Sequence, residues 1–476
     1  MMRASGRPAL LALAGLLVPL AGAGAQGSLS LSLREALLMA MERSTSLKVE
    51  RLNPEIFRTF ELAQQAATDP HLTASVAETW NPETSGPVPP SGVAAGLAWS
   101  LPTGTSLSGS VSASWDDPQA VSLDVAVTQS LLRGAGTAVN LARLRQARLD
   151  TFSSQYELQG FATSLASQVE SAYWNLYLAG RQQTIYKESL ALAERQAAET
   201  EVRIRVGKLA EIELAAAKAE VASRQDALAT SRTQGDITRQ NLLLLINPPG
   251  AGWDTPIQLM DQPAPPQGPL DEVKAHVDLG LRLRPDLNQA RLEIQRGELE
   301  LVVTRNGLLP QLDLVLQLGK TGTLSDFSGS PELSAGLSLG YTPGDRAARA
   351  LDQRARLQSR QAQDALSNLE RLAESQIRSA YLQAQYAAVR VGTTAALRAL
   401  QEEKVRAETE KFRVGSSTSY LVAQAQRDLL ASQLDEAQAA VDYLSAVTNL
   451  YLLEGSLLER RGLSLAEVPP AAPPER

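Results

Sequence analysis

The amino-acid sequence repeats itself, and a chain written twice must fold as two similar halves that pack together. Arg205-Val206-Gly207 returns as Arg413-Val414-Gly415, and Ala215, Ala217 and Gln225 return as Ala423, Ala425 and Gln433, all at an offset of 208. Gln168, Ser171, Ala172 and Tyr173 match Gln376, Ser379, Ala380 and Tyr381 at that same offset, as Ala147-Arg148-Leu149 matches Ala355-Arg356-Leu357. Upstream the offset is 240: Leu47, Arg51, Leu52, Pro70 and Leu72 match Leu287, Arg291, Leu292, Pro310 and Leu312. The first copy therefore carries 240 − 208 = 32 extra residues between about Leu72 and Ala147. Each copy reads as helix, strands, very long helix, glycine turn and return helix, over 26–246 and 271–458. Between them, 247–270 is a Pro/Gly-rich linker with Pro248-Pro249-Gly250 and Pro263-Ala264-Pro265-Pro266.

The long helices follow from apolar spacing. Leu158, Phe161, Leu165, Val169, Ala172 and Leu176 are spaced 3, 4, 4, 3 and 4, and Leu366, Leu369, Ala373, Ile377, Ala380 and Ala384 keep that spacing. This is one apolar stripe on an amphipathic helix. No proline falls from Thr137 to Val206 or from Asp345 to Val414, so Gly160, Gly180 and Gly392 are the weak points. Each segment predicts a helix of roughly 105 Å at about 1.5 Å per residue, a length that implies coiled-coil or barrel-like packing. Gly207 and Gly415 end these helices, because glycine accepts the left-handed conformation at a helix stop. Further helical runs follow over 210–245 and 420–453, giving two hairpins with tips at the two glycines. Ser32 followed by Glu35 is a capping-box pattern that opens a helix to about Ala67. Its counterpart starts after Arg284-Pro285-Asp286 and runs to about Gly307.

Between the helices the apolar period changes from 3.6 to 2. Val121, Leu123, Val125 and Val127 alternate with Ser122, Asp124, Ala126 and Thr128, and Leu333, Ala335, Leu337, Leu339 and Tyr341 alternate with Ser334, Gly336, Ser338, Gly340 and Thr342. The first copy holds four such runs, about 70–80, 92–101, 105–115 and 120–131; the second holds two, about 310–320 and 332–342. Strands of about ten residues with one apolar and one small or polar face suit a membrane barrel; alternation alone serves a soluble β-domain equally. Trp80, Trp99 and Trp115 fall near strand ends, where aromatic rings favour a membrane interface or pack in the ordinary way.

Composition narrows the function. Only 4% of residues are aromatic, and the helices lean on Ala, Leu, Gln, Arg and Glu, which suits narrow seams better than one large core. The formal charge is −7 with both signs interspersed, so no basic stripe points to nucleic acid. The absence of cysteine excludes disulfides, thiolate chemistry and Cys-bound metal. His71 and His276 cannot build a His-rich metal site, and no nucleophile–base pair, phosphate loop or ligand cluster stands out; no catalytic, cofactor or metal residue is expected. Arg3 and Arg7, the apolar run 8–22 and Ala23-Gly24-Ala25 read as a signal peptide over 1–25. No other stretch looks like a transmembrane helix, leaving a soluble exported protein or a closed barrel as the fold class. The Pro-rich end, 459–476, is expected to be a disordered tail.

Taken together, the tandem copies, the R-x-R-V-G-K-L and K-F-R-V-G-S-S tips, Arg284-Pro285-Asp286-Leu287, Leu308-Leu309-Pro310-Gln311-Leu312 and Gln129-Ser130-Leu131-Leu132-Arg133-Gly134 resemble the TolC-like outer membrane factor family. The resemblance covers nearly all of the chain beyond the leader. It implies a homotrimer that shares one β-barrel in outer-membrane lipid, with four strands per protomer, or six, continued by a periplasmic α-helical barrel of twelve helices. It implies an exit duct of a tripartite efflux pump or type I secretion system, with no chemistry of its own. The partners it implies are a periplasmic adaptor docking at Arg205, Val206, Gly207, Arg413, Val414 and Gly415, and an inner-membrane transporter in which selectivity lies.

The sequence departs from the family twice. Positions that carry acidic residues at the family's pore entrance fall on Leu421 and Gln424 in the second copy, and on Glu213, with Glu211 beside it, in the first. A trimer would repeat one carboxylate into a ring that attracts cations; equally, Glu211 and Glu213 suit the first turn of a helix. The 32 extra residues bring a surplus hairpin, about 92–115, that adds strands to the wall or projects outside. The alternative reading of the whole is a periplasmic coiled-coil scaffold or transport adaptor.

Overall fold

The computed structural model describes residues 29–77, 92–115, 119–207, 209–250, 252–264, 268, 270–323 and 325–463. The leader expected over 1–25, Trp80, Lys208 and 464–476 fall outside that set. Two helical hairpins dominate. In the first, α5 (Ala142–Arg205, 64 residues) follows the short α4 (Thr137–Asn140) and returns as α6 (Ile212–Ile246, 35 residues). In the second, α9 (Arg346–Arg413, 68 residues) returns as α10 (Ser419–Leu453, 35 residues). At about 1.5 Å per residue the long arms span roughly 96 and 102 Å. With no proline inside them they run unbroken through Gly160, Gly180 and Gly392. Among the described residues no helix is long and apolar enough to cross a membrane.

The two copies bury the same positions. Leu47 and Leu287, Leu37 and Val277, Val169 and Ile377, and Leu242 and Leu450 are repeat counterparts, and all eight are buried. All but Leu287 lie in two apolar clusters, one around α5 and one around α9. The larger is entered by α11 (Leu457–Arg460), where Leu457, Leu458 and Leu463 are buried. Of residues 459–463, expected at the head of a disordered tail, Leu463 is thus packed on the core and Arg461 is tied to the buried Glu170, while Glu459, Arg460 and Gly462 are exposed.

The helix expected from Ser32 to Ala67 is instead three: α1 (Leu33–Arg43), α2 (Thr45–Glu50) and α3 (Leu52–Gln65). The capping box does open it, with Glu35 N–H 3.3 Å from Ser32 Oγ and Ser32 N–H 2.9 Å from Glu35 Oε2. The first break, at Ser44 (ψ 122°), is the repeat counterpart of Arg284 (ψ 124°), which separates α7 (Val273–Leu283) from α8 (Pro285–Gly307). Pro285 forces that extended residue, since a proline disfavours the helical region for its predecessor. The second break falls at Arg51, three residues before Pro54, whose ring excludes the preceding turn; the matching position in α8 is Ile294.

The linker is also more than a connection. β1 (Leu29–Leu31) pairs in parallel with β6 (Ile257–Leu259), inside the 247–270 segment. Tyr173 pins this pair to the core: its hydroxyl lies 3.1 Å from both the Leu31 carbonyl and Asp261 Oδ2, and the Asp261 N–H donates back at 3.2 Å.

The remaining strands form one antiparallel sheet. β2 (His71–Ala77), β3 (Gly92–Ser100), β4 (Thr105–Ser114) and β5 (Ala120–Ser130) come from the first copy; β7 (Gln311–Gly322) and β8 (Glu332–Gly340) come from the second. The order is β2-β3-β4-β5-β7-β8, so the two copies join where β5 pairs with β7.

Candidate functional site: a two-faced sheet and two helical tips

Alternate residues of a strand point to opposite faces, so the register sorts the side chains. One row across all six strands is Leu72, Leu97, Gly109, Val125, Leu318 and Leu333. The adjacent row on the other face is Thr73, Gly96, Ser110, Asp124, Gly319 and Glu332. The first face carries mainly Leu, Val, Ala and Trp in its neighbouring rows, with Lys320 opposite Leu123; the second carries mainly Ser, Thr, Gly and Ala with few larger groups. Among the described residues no other element covers the apolar face: Leu72 is 81% exposed and Leu333 76%. A continuous apolar surface backed by a polar one is the pattern of a barrel wall in lipid.

The surplus hairpin is part of this sheet. β3 and β4 stand between β2 and β5 with the same two faces. Their turn, Leu101 to Gly104, is wedged under the strand-to-helix junction that follows β5. Gly104 (φ 85°) accepts from Ser130 N–H at 3.0 Å, the Thr103 carbonyl accepts from Gly136 N–H at 3.0 Å, and Asn140 Nδ2 donates to the Pro102 carbonyl at 3.2 Å. A Cβ at Gly104 would lie 2.3 Å from the Gly134 carbonyl oxygen, so only glycine fits. On the opposite side, Trp99 Nε1 donates to the Thr68 carbonyl at 2.8 Å, tying β3 to the short 3-10 turn, Ala66–Thr68, that follows α3. Trp115 follows β4 directly and is exposed.

At the far end of the hairpins, the tip residues close two helices in one way. After α9, Gly415 (φ 82°) donates to the Phe412 carbonyl at 3.2 Å and Ser416 N–H to that of Lys411 at 2.8 Å, a Schellman motif. After α5, Gly207 (φ 75°) donates to the Ile204 carbonyl at 2.8 Å. Val206 and Val414 are 61% and 70% exposed. Among the described residues Arg205 pairs only within its helix, with Glu201 at 3.4 Å, and Arg413 likewise with Glu410 at 2.8 Å. Each tip therefore presents a bare valine beside a solvated guanidinium. At the second tip, hydrogen bonds from Lys411 and the Ser417 hydroxyl hold the Glu408 carboxyl below the usual carboxylate range.

The expected entrance residues are split. Glu211 precedes α6 and is exposed, as are Leu421 and Gln424 on α10. Glu213 is half-buried and accepts from the Ser419 hydroxyl at 2.7 Å, which joins the first return helix to the second. Two further contacts link the hairpins: Glu220 accepts from Arg427 at 3.4 Å, and the Arg203 guanidinium sits 4.9 Å from the centre of the Phe412 ring. Reading the sequence passed over Ser419, Glu220, Arg427 and Phe412. A signal existed, since each contact joins residues within two positions of one repeat length apart.

A sequence model described as outer membrane efflux protein matches residues 97–247 and 277–456. No curated protein matches the chain by sequence. Several solved structures match its fold. The outer-membrane channel OprN aligns at 17% identity with a TM-score of 0.69, covering 89% of this chain and 90% of OprN. The CmeC outer membrane channel of Campylobacter jejuni aligns at 15% identity and 0.66, covering 91% and 90%. The outer membrane protein VceC of Vibrio cholerae aligns at 18% identity and 0.66, covering 89% and 96%.

Proposed function

The chain belongs to the outer membrane efflux protein family, and on that footing we propose that three copies form the exit duct of a tripartite efflux pump or type I secretion system. The observation that carries this reading is the sheet, which has an uncovered apolar face and a face of small and polar residues, mounted on helices roughly 100 Å long. The apolar face suits the lipid of the outer membrane and the small polar face suits a water-filled conduit. The long hairpins reach back across the periplasm as the walls of a helical barrel. In this reading the chain does no chemistry, and conducts passively what an inner-membrane transporter delivers.

The tips are the docking points for a periplasmic adaptor. Val206 and Val414 supply apolar contact, Arg205 and Arg413 supply charge, and the glycine caps at 207 and 415 let a partner approach the backbone closely. Glu213, with Glu211 beside it, faces the entrance, and Leu421 and Gln424 flank it from the second copy. The bond from Ser419 to Glu213 and the pair between Arg427 and Glu220 hold the two hairpins together at rest, so opening requires both to break.

The test is the mass of the protein extracted in detergent from isolated outer membranes, followed by recording in a planar bilayer. A three-chain species with discrete conductance is expected. Recovery as a soluble periplasmic monomer would overturn the duct and favour a coiled-coil scaffold or adaptor.

A further inference from the structure

Two strand edges have no neighbour in the sheet. β2 and β8 are its outermost strands, each paired on one side among the described residues, and both are exposed along their length. In hydrocarbon an open edge would leave backbone N–H and C=O groups without partners, which lipid does not tolerate. Six strands cannot close on themselves around a conduit, since membrane barrels begin at about eight and at that size side chains fill the interior. The occupant of each edge is therefore a second copy of this chain.

We propose that β8 of one copy pairs with β2 of the next and that all six strands enter the wall, so that a ring of three copies closes with eighteen strands (six in each copy). This rests on the reading of the chain as a trimeric duct. Four strands in each copy would give twelve.

Direction and chemistry both fit. Five antiparallel pairings separate β2 from β8, so the two strands run oppositely and the next copy's β8 meets β2 antiparallel. The alternation of direction then continues around the whole ring. The edges also match face to face: β2 offers Leu72 and Val76 on the apolar side and Ser75 on the polar side, against Leu333, Leu337 and Ser338 of β8. The surplus hairpin is anchored at both ends of its base, by Trp99 to Thr68 and by the turn under Gly134, and carries the apolar face without interruption. Lifting it out of the wall would break those bonds and expose a new edge on β5. Because barrel diameter grows roughly linearly with strand number, the mouth is about 1.5-fold wider than a twelve-stranded one.

The experiment starts from the extracted trimer; failure to find three chains counts against the duct reading itself, before strands are counted. The described chain has no cysteine, so introduced pairs report without background. Ser75→Cys on β2 is combined in turn with Ser334→Cys, Gly336→Cys and Ser338→Cys on β8, and Ser110→Cys on β4 is combined with the same three. Oxidation should yield covalent dimers and trimers from at least one β2–β8 combination and none from β4–β8. Cross-linking through Ser110, or no cross-linking from any β2–β8 combination in an intact trimer, would overturn the proposal. Electron cryomicroscopy of the unmodified trimer decides independently: eighteen strands in cross-section support it, and twelve would overturn it.

Discussion

Glu170, buried midway along the first long helix, is held by Arg461 near the other end of the described chain: Arg461 Nε donates to Glu170 Oε2 at 3.0 Å, and Nη2 closes the pair on Oε1. Thr448 adds a hydroxyl at 2.8 Å, and Glu170 is 1% exposed. A carboxylate so far from water depends on these partners, so Arg461→Ala should cost about 3–5 kcal/mol, read as a fall in the thermal unfolding midpoint. Replacing both residues by leucine leaves no buried charge and should recover most of the loss. Equal loss in both variants would assign the effect to packing at position 461 rather than to the pair.

At the proposed entrance, two substitutions separate the bond from the charge. Ser419→Ala removes the hydroxyl from Glu213 but leaves the carboxylate, so conductance should rise while block by multivalent cations holds or tightens. Glu213→Gln removes the charge, and block should weaken by about tenfold, the equivalent of roughly 1.4 kcal/mol. Unchanged block in Glu213→Gln would place the carboxylate off the ion path.

Tyr173 sets an alkaline limit. Burial, opposed in part by the hydrogen bond from the Asp261 amide, pushes its phenol up to about 12. The folded state thus favours the neutral form, so its contribution is complete below the unfolded value near pH 10. It is lost as pH rises through the folded value. Alkaline titration should show stability falling across that window, and Tyr173→Phe should flatten the slope by one proton while costing about 1 kcal/mol at neutral pH. A slope that Tyr173→Phe does not alter would assign the loss to other groups, such as Tyr443, which burial also pushes up.

The hairpins differ in what binds their arms. Arg390–Asp442 at 2.6 Å, Arg398–Glu436 at 2.7 Å and Lys404–Asp428 at 2.7 Å join α9 to α10. Among the described residues α5 and α6 share apolar packing and a hydrogen bond from Gln183 to the Ser231 carbonyl at 3.2 Å, but no ion pair. The three pairs are a third to a half exposed, so each contributes at most about 1 kcal/mol and is screened by salt. Raising salt from about 0.1 to 1 M, where screening shortens to roughly 3 Å, should speed amide exchange in α10 more than in α6. Equal changes would mean that the pairs hold nothing.

Much of this architecture is legible in the residues because its signals are periodic. The 3, 4, 4, 3, 4 stripe through Val169 and its copy through Ile377 needs no tertiary knowledge, and Leu–Ser alternation marks β8 as plainly. What was missed had weaker or longer-range causes. Pro54 was a local warning against one helix to Ala67, but the apolar pattern around it hid the break; Ser44 breaks with no proline after it. β1 and β6 are three residues each and lie more than 200 positions apart, too short for any period to register. The pairing of Glu213 with Ser419 depends on how two hairpins twist about each other. The repeat spacing brings their positions near each other, but neither residue's neighbours say that the two side chains bond.

The row from Thr73 through Gly96 and Ser110 to Gly319 has a consequence for anything that travels along it. Apart from the carboxylates of Asp124 and Glu332, the row is glycine, serine and threonine, a surface without deep hollows and with few anchors. A neutral molecule slides over a shallow washboard, whereas a cation meets the carboxylates of Asp124 and Glu332. Discrimination between uncharged cargoes has to be finished before they arrive there.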